Sequence, residues 1–407
     1  MDAIPQIADP LAAVRPDVEA VMNIEDVTKG DRDQGYAVRF RGRLLGDSEA
    51  DFERLQPVFA RAGMTLLFRN EDGKHVVLGI PGLIQPGPSK VWINVAVFIA
   101  TVLSVLFAGA IFANVDFYDQ AAALPDFSSL AGIVHVAAGG IPFTVALLAI
   151  LVSHEFGHYL AARHHKTSVT LPYFLPFPGT ILGTLGAFIR MKEPPKNRKI
   201  LLDIGLAGPL AGFVVAVPIL VAGIFLSRVS PLPASPAGTA GMMMEGNSLL
   251  YLAAKFVVKG QVLPAPGTFA GVSPILYWLK YFFLGQPFPF GGRDILIHPL
   301  AWAGWAGLLV TALNLMPAGQ LDGGHLVYVL FGRRMAKIWP VIVLILVGFG
   351  FVWAGWWIWA ALIFFLGRRY AEPLDEVTPL DPGRRALAVL GLVIFVLTFA
   401  PVPLATF

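Results

Sequence analysis

Two histidines and a glutamate stand close together in the stretch "LVSHEFGHYLAARHHK" (151–166): His154, Glu155 and His158 form the pattern H-E-x-x-H. On a helix, residues i and i+4 lie one turn apart on one face, so both imidazoles can reach a single metal ion. A catalytic zinc site takes three protein ligands and leaves one position for water, on which a neighbouring glutamate can act as general base. The pattern therefore predicts a metal-activated water, provided that a third ligand comes from elsewhere in the chain.

The residues before the motif, "GIPFTVALLAI" (140–150), are apolar enough for the interior of a membrane. An ionisable side chain at the centre of a bilayer costs about 2.5–3.5 kcal/mol or more. A metal ion offsets this cost, because it binds neutral histidine nitrogens and leaves Glu155 facing a bound hydroxide. The alternative interpretation is a polar lining of a transport path.

A candidate third ligand lies in "TALNLMPAGQLDGGH" (311–325), where Asp322 is the only acidic residue. Pro317 lacks a backbone donor and should break or kink the helix there, and the nearby glycines let the backbone approach another group closely. An aspartate oxygen would complete the set that the two histidines begin. The alternative, that Asp322 caps the next short helix, is compatible with ligation but gives no reason for Asn314.

The paired motifs H-E-x-x-H and N-x-x-P-x-x-x-L-D-G resemble those of the site-2 protease family of intramembrane zinc metalloproteases, which is peptidase family M50. The segment 179–218 is similar to the branch that contains the EGY-type proteases of plastids and cyanobacteria, which also carries a polar N-terminal extension. The resemblance covers residues 90–370. It implies a zinc endopeptidase that cleaves transmembrane segments of membrane-protein substrates in regulated intramembrane proteolysis.

The resemblance also implies a role for each motif residue. His154, His158 and Asp322 would bind one Zn²⁺ per chain, Glu155 would be the general base, and Asn314 would help to hold or stabilise the scissile carbonyl. Two other classes are open, a metal permease and a non-catalytic relative that acts as a scaffold or chaperone. A permease gives no reason for Glu155 beside His154, and a non-catalytic relative usually lacks the glutamate or a ligand.

The composition indicates which elements must position these residues. Of the 407 residues, 56% are hydrophobic and only 14% are charged, whereas a soluble protein carries about 25% charged residues. We therefore expect an α-helical polytopic membrane protein with a small soluble appendage. The absence of cysteine excludes disulfides, a cysteine nucleophile and Cys-ligated zinc. The net charge of +3 gives no sign of nucleic-acid binding.

Apolar stretches long enough to cross about 30 Å of hydrocarbon follow residue 90. Seven spans are predicted, with six or eight as alternatives: 91–113, 140–164, 200–226, 298–317, 337–352, 354–368 and 385–403. Segment 115–130 is acidic, whereas short basic segments adjoin the spans on the other side. The positive-inside bias then places the N-terminus in the cytoplasm. We expect an integral protein of a prokaryotic cytoplasmic (inner) membrane, and the sequence does not predict its oligomeric state.

The first 90 residues mix acids and bases and predict a polar unit ahead of the spans. The predicted division is a tail at 1–29, a cytoplasmic α+β domain at 30–82, a linker at 83–90 and the metalloprotease domain at 91–403. Within the domain, alternation predicts a strand at 36–45, and a Ser48 cap with a closing Gly63 predicts a helix. Two strands around Asp72-Gly73 then form a hairpin. The predicted order is therefore β-α-β-β.

Three other segments carry predictions. Segment 179–190 alternates and is predicted to be an edge strand or re-entrant loop near the site. Such an edge could hold unwound substrate by strand addition, or it could be a structural plug. The stretches "SLLYLAAKFVVKG" (248–260) and "ILYWLKYFFLG" (275–285) look like amphipathic helices that lie in the membrane interface.

Overall fold

A computed structural model describes residues 9–30, 35–114, 128–235, 243–269, 271–367 and 370–406. Most of these residues are helical, and a small sheet-containing unit stands at the N-terminus. Part of the predicted orientation rests on the acidic segment 115–130, of which residues 115–127 lie outside the described residues.

The N-terminal unit consists of six elements: α1 (Pro10–Glu19), β1 (Met22–Lys29), β2 (Val38–Leu44), α2 (Ser48–Arg61), β3 (Met64–Glu71) and β4 (Lys74–Pro81). The sheet is antiparallel in the order β1-β2-β4-β3. The predicted hairpin is present, because β3 pairs with β4 antiparallel up to Glu71 and Lys74. In its turn, Asp72 and Gly73 have positive φ angles of 51° and 78°. The cap of α2 is Asp47 and not Ser48, since the Asp47 carboxylate accepts from the backbone of Glu49 and Ala50.

Residues 10–29, assigned to a tail by the sequence, form α1 and β1 in the structure. Val14 and Val18 of α1 are buried in the hydrophobic core of the unit. β1 pairs with β2 along its length, with a bulge between Ile24 and Asp26. The order of elements is therefore α-β-β-α-β-β, while the domain limits themselves stay a prediction.

Three helices in the described part of the chain are long and apolar enough to cross a membrane: α3 (Val91–Asn114), α4 (Leu130–His164) and α5 (Arg198–Leu226). The remaining predicted spans fall on helices of 12 to 17 residues, shorter than the roughly 20 residues of a typical span. These are α8 (Pro299–Asn314), α10 (Trp339–Gly350), α11 (Gly355–Leu366) and α12 (Pro382–Thr398). The structure therefore supports a membrane protein but does not confirm seven spans.

Helices α4, α5 and α8 pack against one another and form the largest core, which includes Leu147, Ile150, Leu220 and Trp302. Between α4 and α5 the chain makes a two-stranded hairpin of β5 (Tyr173–Pro176) and β6 (Thr184–Phe188). The strand predicted within 179–190 is therefore present as β6. Because the hairpin has only two strands, one edge of β6 has no strand partner in the described structure.

After α5, the described residues of 228–296 form three short strands and two helices. These are β7 (Arg228–Pro231), β8 (Met243–Glu245), α6 (Leu249–Lys259), α7 (Pro274–Leu284) and β9 (Arg293–Leu296). β7 pairs with β9, and β8 pairs with β10 (Leu404–Thr406) after α12. In α6, Lys255 is fully buried whereas Val257 is 80% exposed. This is the reverse of a water-facing helix, so it supports the predicted membrane interface.

Candidate metal centre

Three donor atoms from two distant parts of the chain converge in the interior. Nε2 of His154 and Nε2 of His158 lie 3.2 Å apart. Oδ2 of Asp322 lies 3.4 Å from the first and 3.3 Å from the second. Ligands of a tetrahedral zinc ion, at about 2.0–2.2 Å from the metal, are about 3.3–3.6 Å apart. The three side chains therefore form a group that can hold a metal ion.

Each donor is placed by a local feature of the chain. His154 and His158 are one turn apart on α4, as the motif predicted. Asp322 opens α9 (Asp322–Phe331), which follows a non-helical break after α8. Asp322 does not cap α9, whose N-cap is Leu321 without a side-chain hydrogen bond. The carboxylate is therefore turned toward the histidines.

The two glycines after Asp322 allow α9 to pack closely against the backbone of the segment that precedes it. A Cβ at Gly323 would lie 1.9 Å from the carbonyl oxygen of Leu315, and one at Gly324 would lie 2.3 Å from that of Gly319. Any side chain at these positions would push α9 away from the preceding break. The two glycines therefore fix the position of Asp322.

A backbone carbonyl of α5 orients the second histidine. Nδ1 of His158 lies 2.7 Å from the carbonyl oxygen of Ile204, so the ring donates its Nδ1–H there. A neutral imidazole then has an unprotonated Nε2, the form that binds a metal. The sequence reasoning missed this contact, since a carbonyl oxygen leaves no signature in the residue type.

Small residues let α5 approach the motif. A Cβ at Gly208 would lie 2.1 Å from Nε2 of His158, and one at Gly212 would lie 3.1 Å from Cβ of His154. Gly157 of α4 packs in return on the backbone of Ala207. The sequence reasoning missed the role of Gly208, although the turn-by-turn run "GLAGPLAG" (205–212) is a signal for close helix packing.

Glu155 is also part of the centre. Its side chain is buried, and Oε2 has no hydrogen-bond partner among the described residues. Buried polar atoms are nearly always paired, so this oxygen needs a ligand or water. The donor set and this free oxygen suit a metal with an open water position.

The amide of Asn314 lies 3.1 Å from Nε2 of His154. Asn314 is the last residue of α8, so the break that follows places its side chain against the donor set. The structure thus brings together all five residues that the sequence singled out, while their separate roles stay predictions.

Two cavities meet at the centre. A cavity of about 530 Å³ is lined by the donor residues together with the polar side chains of Arg190 and Gln320. A second cavity, of about 210 Å³, has mainly apolar walls that include Leu147, Leu309 and Trp359. Ala187 of β6 lines both cavities, as do His154, Glu155 and Asn314, so the hairpin contributes to the walls of both.

Three further histidines, His165, His298 and His325, divide into two groups by their position. His325 lies near the centre, where it is buried, lines the larger cavity and packs beside Gly205. His165 pairs instead with Asp203, at 3.0 Å, and His298 caps α8 by accepting from the backbone of Leu300. Neither of the last two reaches the donor set.

The family model of peptidase family M50 matches residues 142–354, which include all five residues of the centre. The chain is 29% identical over 399 residues to "Probable zinc metalloprotease EGY1, chloroplastic" of Arabidopsis thaliana, covering 91% of this chain and 67% of that protein. It is 28% identical over 405 residues to the EGY1 protein of Oryza sativa subsp. japonica, covering 91% and 63%.

The EGY2 protein of Oryza sativa subsp. indica is 29% identical over 377 residues, covering 90% of this chain and 62% of that protein. The chain thus covers between 62% and 67% of the length of these three relatives. No solved structure matches it. The relatives' names place them in chloroplasts, so they do not support the predicted prokaryotic inner membrane, and the compartment stays a prediction.

Proposed function

The chain belongs to peptidase family M50, and we propose that it is an intramembrane zinc endopeptidase that hydrolyses peptide bonds within transmembrane segments of membrane proteins. The observation that carries the proposal is the convergence of His154, His158 and Asp322 beside the buried, unpaired carboxylate oxygen of Glu155. The two histidines and Glu155 stand on α4, an apolar helix long enough to cross a membrane. The expected partners of the protein are the lipid bilayer and transmembrane-protein substrates, and no nucleic acid is expected.

One Zn²⁺ per chain would be held by the two Nε2 atoms and Oδ2 of Asp322, with His158 oriented by Ile204. The ion, when bound, lowers the pKa of its water to about 7. Glu155 then accepts the proton of the attacking water and delivers it to the leaving amide nitrogen. Asn314, beside His154, donates to the carbonyl oxygen as negative charge develops there.

The edge of β6 without a strand partner is the proposed binding site for the unwound substrate. A transmembrane helix must unwind before its peptide bonds can be cut, and an unpaired strand edge offers hydrogen bonds to the extended chain. The apolar cavity beside Ala187 suits an apolar substrate side chain, whereas the cavity lined by Arg190 and Gln320 suits water.

The proposal is tested with purified protein in lipid and a model substrate that has one apolar transmembrane segment. We expect cleavage inside that segment, mapped by mass spectrometry, that a chelator stops and added Zn²⁺ restores. A metal permease would instead move metal ions across liposomes without cutting the substrate. Cleavage confined to extramembrane loops would contradict an intramembrane protease.

A further inference from the structure

Residues 372–378, between α11 and α12, form a segment that we call the strap. The backbone N–H of Phe68 in β3 donates to the carbonyl of Leu374 at 2.9 Å, and the N–H of Glu376 donates to the carbonyl of Phe68 at 3.1 Å. β3 is an edge strand of the N-terminal sheet. The strap therefore adds a short parallel bridge to that edge.

The other side of the strap is bonded to the loop that leads into α5. Leu374 N–H donates to the carbonyl of Pro195 at 3.0 Å, and Asp375 N–H donates to that of Lys196 at 2.7 Å. The side chains of Leu374 and Val377 pack against the core of the N-terminal unit. The strap is therefore held between the N-terminal unit and the helical part of the chain.

Arg69 of β3 bonds the N-terminal unit to the strap. Its guanidinium donates to the carbonyl oxygens of Phe68, Pro373 and Leu374, at 2.9, 3.1 and 2.8 Å. It also lies 3.8 Å from the carboxylates of Glu372 and Glu376. The residue is only 7% exposed. Removal of a nearly buried arginine would leave several carbonyls and two carboxylates without this partner.

The strap also holds the helix that begins with Asp322. Glu376 accepts a hydrogen bond from the hydroxyl of Tyr328, a buried residue of α9, and another from Arg333 at 3.2 Å. Ala371, next to the strap in sequence, lines the larger cavity of the metal centre. A displacement of the strap would thus move α9 and change the wall of the larger cavity.

A second link joins the N-terminal unit to α5. Glu49 of α2 accepts from Nδ2 of Asn197 at 2.8 Å and from Lys199 at 2.6 Å. Asn197 caps α5, the helix whose Ile204 carbonyl orients His158. The N-terminal unit is therefore bonded to two helices that complete the centre on α4. It contacts α9, which carries Asp322, through the strap, and it contacts α5, which orients His158, directly.

We propose that the N-terminal unit is a positioning element of the metal centre, which acts through Arg69 and the strap on α9 and so on Asp322. When the unit is docked, α9 is held and Asp322 faces the histidines. When the unit is released, α9 loosens, the metal dissociates faster and turnover falls. Only the effect on turnover rests on the proposed function.

The test compares Arg69→Ala with Arg39→Ala in the full-length protein. Arg39 is the matched control, since its ion pairs, to Glu71 at 2.7 Å and Asp26 at 3.7 Å, stay within the N-terminal unit. Hydrogen exchange of the α9 amides and zinc loss to a chelator are measured for both. We expect each rate to rise about tenfold in Arg69→Ala and to change less than twofold in Arg39→Ala.

Tyr328→Phe is the second variant, because it keeps the ring and removes only the bond to Glu376. It should raise both rates at least threefold while the N-terminal unit stays folded. Unchanged α9 exchange and zinc loss in both Arg69→Ala and Tyr328→Phe would overturn the proposal, as would an equal effect of Arg39→Ala. If the wild-type protein cleaves no transmembrane substrate, the proposed function fails, but exchange and zinc loss still decide this inference.

Discussion

The carbonyl oxygen of Ile204 and Nδ1 of His158 lie 2.7 Å apart, on α5 and α4 respectively. This bond fixes which ring nitrogen carries the proton and turns Nε2 toward His154 and Asp322. The donor set therefore depends on how closely α5 packs against α4, as well as on the residues of the motif. Such outer contacts of a ligating histidine typically change metal affinity by about 10–100-fold.

The first prediction concerns metal content. The purified protein should hold about one zinc per chain, and His158→Ala should lose both metal and activity, because two remaining protein ligands rarely retain zinc against a chelator. His165→Ala is the control, since His165 pairs with Asp203 away from the donor set. Metal analysis after dialysis gives the result, and full zinc occupancy in His158→Ala would refute the ligand assignment.

The second prediction concerns Gly208. A Cβ there would lie 2.1 Å from Nε2 of His158, so Gly208→Ala must displace the imidazole or α5. We expect zinc affinity to fall at least tenfold, a loss comparable with that of an outer ligand contact. Gly348→Ala in α10 is the matched control, because no described atom outside the adjoining backbone of its own helix lies within 4 Å of its Cβ position. Competition with a metal indicator measures both, and equal affinities would show that the packing at Gly208 is irrelevant.

The sequence predicted the parts of this molecule that depend on local pattern. The predictions of a hairpin turn at Asp72-Gly73 and of a strand in 179–190 were correct, because both depend on residues that are neighbours in sequence. The H-E-x-x-H spacing and the only acidic residue within 311–325 selected the three residues that the structure brings together, because few residue types bind zinc. Their role as metal ligands stays a prediction.

The features that the sequence did not predict depend on packing between distant segments. α1 and β1 owe their place to the core at Val14 and to pairing with β2, neither of which is visible in residues 1–29 alone. The contact of Ile204 uses a backbone atom, which any residue type could supply. The strap needs Phe68 and Leu374 to meet across about 300 residues, so no local pattern could indicate it.

The third prediction concerns pH and the N-terminal unit. Nδ1 of His75 accepts from the backbone N–H of Leu44 at 3.1 Å, which requires an unprotonated ring nitrogen. Burial, and then the charge of Arg43, lowers the pKa of His75 below its ordinary value of 6.5. The folded unit therefore favours neutral His75, so this stabilisation is complete above about pH 6.5 and is lost as the pH falls below it.

Thermal unfolding of the N-terminal unit, followed in the full-length protein by hydrogen exchange of β2 and β4, should therefore occur at lower temperature at about pH 5.5 than at about pH 7.5. His75→Gln should flatten this part of the profile, because its amide does not titrate. A wild-type profile that is flat between these values, or one that the substitution leaves unchanged, would contradict the role of His75.

The last prediction separates the base from the ligands. Glu155 follows His154 in sequence, but on a helix its side chain points about 100° away, so it should act on the water and stay outside the donor set. Glu155→Gln keeps the shape and removes the base. The variant should therefore keep its zinc and its folded structure, while the rate of proteolysis falls about 10²–10⁴-fold. Uncleaved substrate should co-purify with it.

Asn314→Ala gives the matching comparison within the same centre. Its amide lies 3.1 Å from Nε2 of His154 but outside the three metal donors. As a donor to the developing oxyanion it should contribute about 10²–10³-fold to turnover, again with zinc retained. A permease would show neither cleavage by the wild type nor this separation of metal content from turnover. Cleavage by Glu155→Gln at a rate near that of the wild type would exclude the proposed mechanism, even though the chain belongs to the family.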